Sequence, residues 1–162
     1  MKNIRKYFLT MIGLICLIPS LQAQSAPEQD PVQLYKNGLY GSLGFAGIYA
    51  SATSNYERMV TQHFDKGITA TFVKVGIGVY GVWGGSGSYY YAQYGFLTGK
   101  RASHLEISAG PNFGFNEDGA ESPPIAATIG YRHQKPERHF ILRTGLALPE
   151  SIYLGIGWSF GK

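Results

Sequence analysis

The sequence predicts an all-β chain that closes into an antiparallel, eight-stranded, up-and-down transmembrane β-barrel. Three observations carry that expectation. From residue 39 to residue 160, large apolar residues recur at every second position, segment after segment, with turn residues in between. In each segment one face is Leu, Ile, Val, Phe, Tyr or Trp, and the other collects glycine, small polar residues and nearly all the charge. No apolar pattern of helical period is sustained anywhere. Side chains alternate across a strand, so every segment has one greasy and one polar face. A soluble barrel turns the greasy face inward, whereas a membrane barrel turns it out. Glycine, serine and ions together suit a cramped polar lumen, and a continuous aliphatic face suits hydrocarbon.

The 162 residues read as one domain behind an export leader. Lys2, Arg5 and Lys6 form a basic start, Phe8 to Ile18 an apolar stretch, and Leu21-Gln22-Ala23 a cleavage site, so 1–23 is expected to be a signal peptide. The apolar run is too short to span a bilayer and stops at Pro19. Cys16 lacks the small preceding residue of a lipoprotein signal, and cleavage leaves a mature chain without thiol chemistry. The formal charge of +4 shrinks too. Of the 14 Lys and Arg, three go with the leader, leaving 11 against 10 acids. That balance, with no basic stripe, excludes nucleic acid as an expected partner.

Residues 24–38, with Pro27 and Pro31, read as a flexible lead-in to a barrel over 39–162. The first segment, Leu39–Tyr49, sets Leu39, Leu43, Phe45 and Tyr49 against Tyr40, Ser42, Gly44 and Ala46. Thr53-Ser54-Asn55 reads as the turn into a second segment, Asn55–Thr61. In the third, Thr71–Trp83, Val73, Val75, Ile77 and Val79 oppose Lys74, Gly76, Gly78 and Tyr80; Gly84-Gly85-Ser86-Gly87 reads as a loop. The fourth, Tyr89–Leu97, opposes Tyr90, Ala92, Tyr94 and Phe96 to Tyr89, Tyr91, Gln93 and Gly95. A turn at Gly99-Lys100-Arg101 leads to the fifth, His104–Phe115, where Pro111 requires a bulge or a loss of pairing. A polar loop from Asn116 to Pro124 precedes the sixth, Ile125–His133. Lys135-Pro136-Glu137 turns into the seventh, with Phe140, Leu142, Leu146 and Leu148 on its greasy face, and Pro149-Glu150 into the last. Two aromatic girdles are expected: Trp83, Tyr90, Phe113 and Phe115 at one rim, Phe96, Tyr131, Phe140, Trp158 and Phe160 at the other. Arg58 and the terminal His133 fall on the greasy face, Arg58 near enough to a turn to snorkel.

The last segment, Ser151–Phe160, alternates Ile152, Leu154, Ile156, Trp158 and Phe160 with Ser151, Tyr153, Gly155, Gly157 and Ser159. This glycine-bearing strand, closing on aromatic-x-aromatic, resembles the terminal strand of small eight-stranded Gram-negative outer-membrane β-barrels, although here Gly161-Lys162 follow the final aromatic. Tyr56-Glu57-Arg58 and Gly130-Tyr131-Arg132 resemble recurring pieces of such barrels. The resemblance implies location in the cell outer membrane, with lipid around the wall and both termini in the periplasm. It further implies that the barrel assembly machinery reads the last strand through Gly155, Trp158 and Phe160. A monomer is expected.

On that orientation Glu57, Lys74, Glu106, Arg132 and Arg143 point into the periplasmic half of the lumen. Two acids and three bases in a low-dielectric interior are expected to pair, because an unpaired buried charge is costly. Eight strands leave a lumen that side chains fill, so a structural plug is expected. The alternative is a ligand site or narrow path lined by Tyr80, Tyr89, Tyr91, Gln93 and Tyr153. Gly76-Ile77-Gly78-Val79-Tyr80-Gly81 fits the dinucleotide spacing, but the period stays at two where that motif needs a helix. No catalytic His-Ser-acid set and no metal-ligand spacing emerges, and Asn116-Glu117-Asp118-Gly119 lacks the spaced oxygens of a calcium loop. The function expected is therefore a non-enzymatic integral barrel with a structural or surface-interaction role, without cofactor. A lipid-modifying enzyme or small-ligand conduit is the alternative, and a secreted lipocalin-like binding barrel a more distant one.

Overall fold

The computed structural model describes residues 33–116 and 123–161. The leader over 1–23, most of the lead-in and the acidic Glu117-Asp118-Gly119 lie outside the described residues. Eight strands follow in order: β1 Asn37–Ala46, β2 Tyr49–Gln62, β3 Ile68–Val82, β4 Gly85–Thr98, β5 Ser103–Asn116, β6 Ile125–His133, β7 Phe140–Leu148 and β8 Ser151–Phe160. Each pairs antiparallel with the next, and β8 pairs with β1 from Asn37↔Phe160 to Phe45↔Ile152, so the sheet closes and leaves no edge. We call the end that carries residues 33–36 and the C-terminal residues the near end, and the end with the β1–β2, β3–β4 and β7–β8 turns the far end.

Alternation places most large apolar residues of the strands on the outer wall and the glycine-rich face inside, where Met59, Phe72, Leu97 and Ile141 are buried exceptions. Leu43 is 69% exposed and Ile77 63%, while Arg132 and Glu106 are wholly buried. The far girdle has Trp83 at the β3–β4 hairpin and Tyr90 stacked on Phe113 at 5.1 Å. The side chain of Phe115 lies outside the described residues. At the near rim Tyr131, Phe140, Trp158 and Phe160 stand exposed, with Phe96 half-buried.

Several boundaries differ from the sequence reading. Thr53-Ser54-Asn55 is not a turn. Those residues pair with Ser42, Gly41 and Tyr40 in the middle of β2, and the reversal lies at Gly47-Ile48, where Gly47 takes a φ of 64°. Tyr49 therefore opens β2 instead of ending β1. Gly85, Ser86 and Gly87 are ladder residues opposite Val82, Gly81 and Tyr80, which reduces the expected loop to Trp83-Gly84. A Thr-Ser-Asn run and a glycine run carry turn composition, but the long-range ladder overrides it. Near Pro111, Tyr91↔Asn112 and Tyr94↔Ala109 keep one register with no ladder pair between them, so pairing is lost there without a bulge.

The lead-in is engaged well before residue 38. Leu34 is buried in the near mouth against Met59, Phe72 and Leu97. Its N–H donates to Gln62 Oε1 (2.8 Å) and its carbonyl accepts from Gln62 Nε2 (3.0 Å). Gly161, at a φ of 76°, accepts from the Lys36 N–H at 2.8 Å, so one residue beyond the final aromatic continues the sheet contact.

Candidate functional site

The lumen is the place where polar chemistry gathers. Five ionisable side chains from five strands meet in its near half: Glu57 on β2, Lys74 on β3, Glu106 on β5, Arg132 on β6 and Arg143 on β7. Glu106 is the hub. Arg143 Nε donates to its Oε2 at 2.8 Å and the Arg143 Nη2 pairs with its Oε1, while Lys74 Nζ lies 3.6 Å and Arg132 Nη1 3.8 Å away. Arg132 Nη1 also reaches Glu57 at 2.7 Å. Backbone register alone gives no such set. Arg132 stands directly opposite Arg143 across β6–β7, and Glu57 opposite Lys74 across β2–β3. Two guanidiniums side by side would repel, and the carboxylates reaching across the lumen bind them together.

Neutral groups satisfy what the ions leave over. Arg132 Nε donates to Gln134 Oε1 at 2.9 Å, and Lys74 Nζ donates to Ser108 and Thr128 hydroxyls at 3.3 Å each. Gln93 Oε1 accepts from Ser108 Oγ at 2.8 Å. The Arg143 guanidinium lies over the Tyr40 ring, 4.2 Å from its centroid, and Tyr40 donates to Glu57 Oε2 at 3.3 Å. Such a network is costly to bury and costly to break, because each partner removed strands the others.

The far half of the lumen is aromatic. Tyr49, Tyr80, Tyr89 and Tyr91 form a ladder of rings with successive centroids 6.0, 6.1 and 6.1 Å apart. Room for it comes from glycine. A Cβ on Gly76 would lie 2.6 Å from the Tyr91 Cζ, and one on Gly78 would lie 2.6 Å from the Tyr89 Cζ. The glycine spacing that imitates a nucleotide motif thus serves to seat two tyrosine rings beside a strand that keeps its register. Tyr80, Tyr89, Tyr91, Gln93 and Tyr153 all face the lumen and are all buried. They contact one another or the ion network.

Two members were missed by the sequence reading. Glu150, in the β7–β8 turn, folds back into the far mouth, where it is buried and accepts from the Tyr91 hydroxyl at 2.9 Å. With it the lumen holds three bases and three acids. Asn55, misplaced in a turn, also meets the Tyr91 hydroxyl and donates to Thr53 Oγ1 at 3.0 Å. The signal for Asn55 was present as the period-two run Ser51, Thr53, Asn55, Glu57. Nothing local announces that Glu150 turns inward. Gly155 faces the lumen beside Ser42, while Trp158 and Phe160 face out from β8.

Outside the barrel, Ser103 Oγ lies 2.9 Å from the Tyr131 hydroxyl, which lies 3.3 Å from His133 Nδ1. This row sits at the near rim, and no carboxylate completes it among the described residues. His104, beside Ser103, points inward and bonds the Thr98 and Gln134 carbonyls. No group of acids and histidines able to hold a metal occurs among the described residues. No known protein family, curated protein or solved structure matches the chain.

Proposed function

We propose that this chain is an exported integral outer-membrane β-barrel whose lumen is plugged by its own side chains and whose role is structural or one of surface interaction, without catalysis. One observation supports the reading above the others: the closed barrel is inverted relative to a water-soluble one. Ion pairs fill its interior, and its whole circumference presents Leu, Ile, Val and aromatic side chains. An exposed apolar surface beyond a few hundred Å² is untypical of a soluble monomer, and a wall flanked by two aromatic girdles matches the hydrocarbon layer and its interfaces. A lipocalin-like barrel would put that apolar surface inside. The buried, mutually bonded luminal charges favour a plug over a conduit. The leader read over 1–23 supports export, and the resemblance of β8 supports recognition by the barrel assembly machinery.

The test is refolding of the mature chain from denaturant into detergent or phospholipid vesicles. The expected outcome is sheet-rich protein with heat-modifiable gel mobility only where amphiphile is present, and no steady conductance in a planar bilayer. A freely soluble, folded monomer in plain buffer would overturn the membrane reading. Reproducible ion-selective current steps would overturn the plug.

A further inference from the structure

Charge is distributed unequally between the two ends of the barrel. Outside the lumen, every described Lys and Arg lies at the near end: Lys36 before β1, Arg58 on β2, Lys66 after β2, Lys100 and Arg101 after β4, and Lys135 and Arg138 after β6. All are exposed, and the acids among them are only Asp65 and Glu137. The described far-end turn residues, Gly47-Ile48, Trp83-Gly84 and Pro149-Glu150, include no cation.

The cations also stand at a defined height. Arg58 is on the greasy wall in the same row as Phe160, because Asn37 pairs with both. The lysines of three separate turns lie just beyond the aromatic rim of Tyr131, Phe140, Trp158 and Phe160. Polar groups share that rim on the outer face. The Ser103–Tyr131–His133 row is there, as is the Tyr56 hydroxyl, which donates to Asn37 Oδ1 at 2.8 Å. Aromatic rings mark the boundary between hydrocarbon and headgroups, so ammonium and guanidinium groups just outside it fall at the depth of lipid phosphates.

We infer that the near end docks on anionic phospholipid headgroups, which its basic turns gather around one rim of the barrel while the far rim gathers none. The inference rests on the membrane reading above. Spread over three hairpin turns around the mouth, the cations fit a laminar array of phosphates better than a single compact ligand. Each cation near an anionic surface favours the negative lipid, and together they should enrich it on the order of fivefold.

The chain's two tryptophans allow a direct test, because Trp158 is at the near rim and Trp83 at the far hairpin. Trp83→Phe and Trp158→Phe each leave one reporter, refolded into phosphatidylcholine vesicles with a minor share of phosphatidylglycerol. Either lipid is supplied with brominated chains that quench tryptophan on contact. Brominated phosphatidylcholine should quench both reporters. Brominated phosphatidylglycerol should quench Trp158 severalfold beyond its mole fraction and Trp83 only in proportion. The excess should vanish in high salt and in the Lys66→Gln/Lys100→Gln/Lys135→Gln variant.

No excess at Trp158, equal excess at both tryptophans, or an excess indifferent to salt and to the lysines would each overturn the inference while leaving the barrel in the membrane. Failure of brominated phosphatidylcholine to quench either reporter would remove the membrane reading and this inference with it. Should the triple variant not fold, the salt response of the two single-tryptophan proteins decides.

Discussion

The two halves of the lumen are lined by different side chains and are unequally satisfied. In the near half, three cations and two carboxylates meet with amide and hydroxyl partners, above an apolar stopper of Leu34, Met59, Phe72 and Leu97. In the far half, tyrosine rings stack well but their oxygens do not all bond. At mid-height the hydroxyls of Ser42 and Tyr153 are buried without a hydrogen-bond partner among the described residues, and in the near half Gln134 Nε2 is the one such atom. The hydroxyls of Tyr49, Ser51 and Tyr89 crowd together short of good bonding geometry. Filling a lumen and satisfying it are thus separate tasks. A ring offers volume at one end and a polar atom at the other, and only the volume has been fully used here.

The largest effect should come from the hub of the near half. Glu106→Ala leaves Arg143, Lys74 and Arg132 facing one another, with Glu57 still paired to Arg132 alone among the described salt bridges. Breaking a buried pair from one side costs about 3–5 kcal/mol, and denaturant unfolding in detergent or vesicles should show a loss of that order. Arg143→Ala in the same background should cost much less than it does alone, since its partner is already gone. Equal and additive losses in the single and double variants would mean that the contacts are spatial neighbours without energetic coupling.

A smaller loss is expected where the two halves join. The Tyr91 hydroxyl lies between Asn55 and Glu150 and connects the aromatic ladder to the turn that closes the far mouth. Tyr91→Phe keeps the ring and its stacking but strands a buried carboxylate, so a destabilisation of about 1.5–3 kcal/mol is expected from a hydrogen bond to a charged group. If Glu150→Gln with Tyr91→Phe is no worse than Tyr91→Phe alone, the carboxylate itself is the stranded group. A Tyr91→Phe protein as stable as the parent would show that Glu150 finds water at the mouth.

How much of this was legible in advance follows from where the information sits. The strand count and the inward direction of Glu57, Lys74, Glu106, Arg132 and Arg143 follow from alternation, which is a local property, whereas the closure of β8 on β1 was expected only through the resemblance of the last strand. Partner choice inside the lumen is not local. Glu106 reaches Arg143 and Lys74 because closure brings β5, β7 and β3 around one axis, and the sequence carries no mark of that pairing. Turn composition misled at Thr53-Ser54-Asn55, where small polar residues serve as lumen filling and small outward contacts. Glu150 looked like part of a plain connection. Its inward turn depends on the room left beside Gly44, whose missing side chain lets the β7–β8 turn approach β1.

The smallest effect should also have the opposite sign. Tyr153 is buried, its ring lies 5.4 Å from the Arg143 guanidinium, and its hydroxyl rests over Gly130 without a partner among the described residues. Tyr153→Phe preserves the ring beside the cation and removes only a buried oxygen that bonds no described residue. Leaving such a group unbonded costs about 1–3 kcal/mol. Part of that cost should be recovered, with the lost contact to Gly130 offsetting the rest. A gain of up to about 1 kcal/mol is therefore expected in the same denaturant assay in which Tyr91→Phe loses stability. Two tyrosine-to-phenylalanine changes in one lumen would then move stability in opposite directions, and only the bonding of the hydroxyl separates them. A clear loss at Tyr153 would show that its oxygen bonds after all, and the contrast between the two tyrosines would disappear.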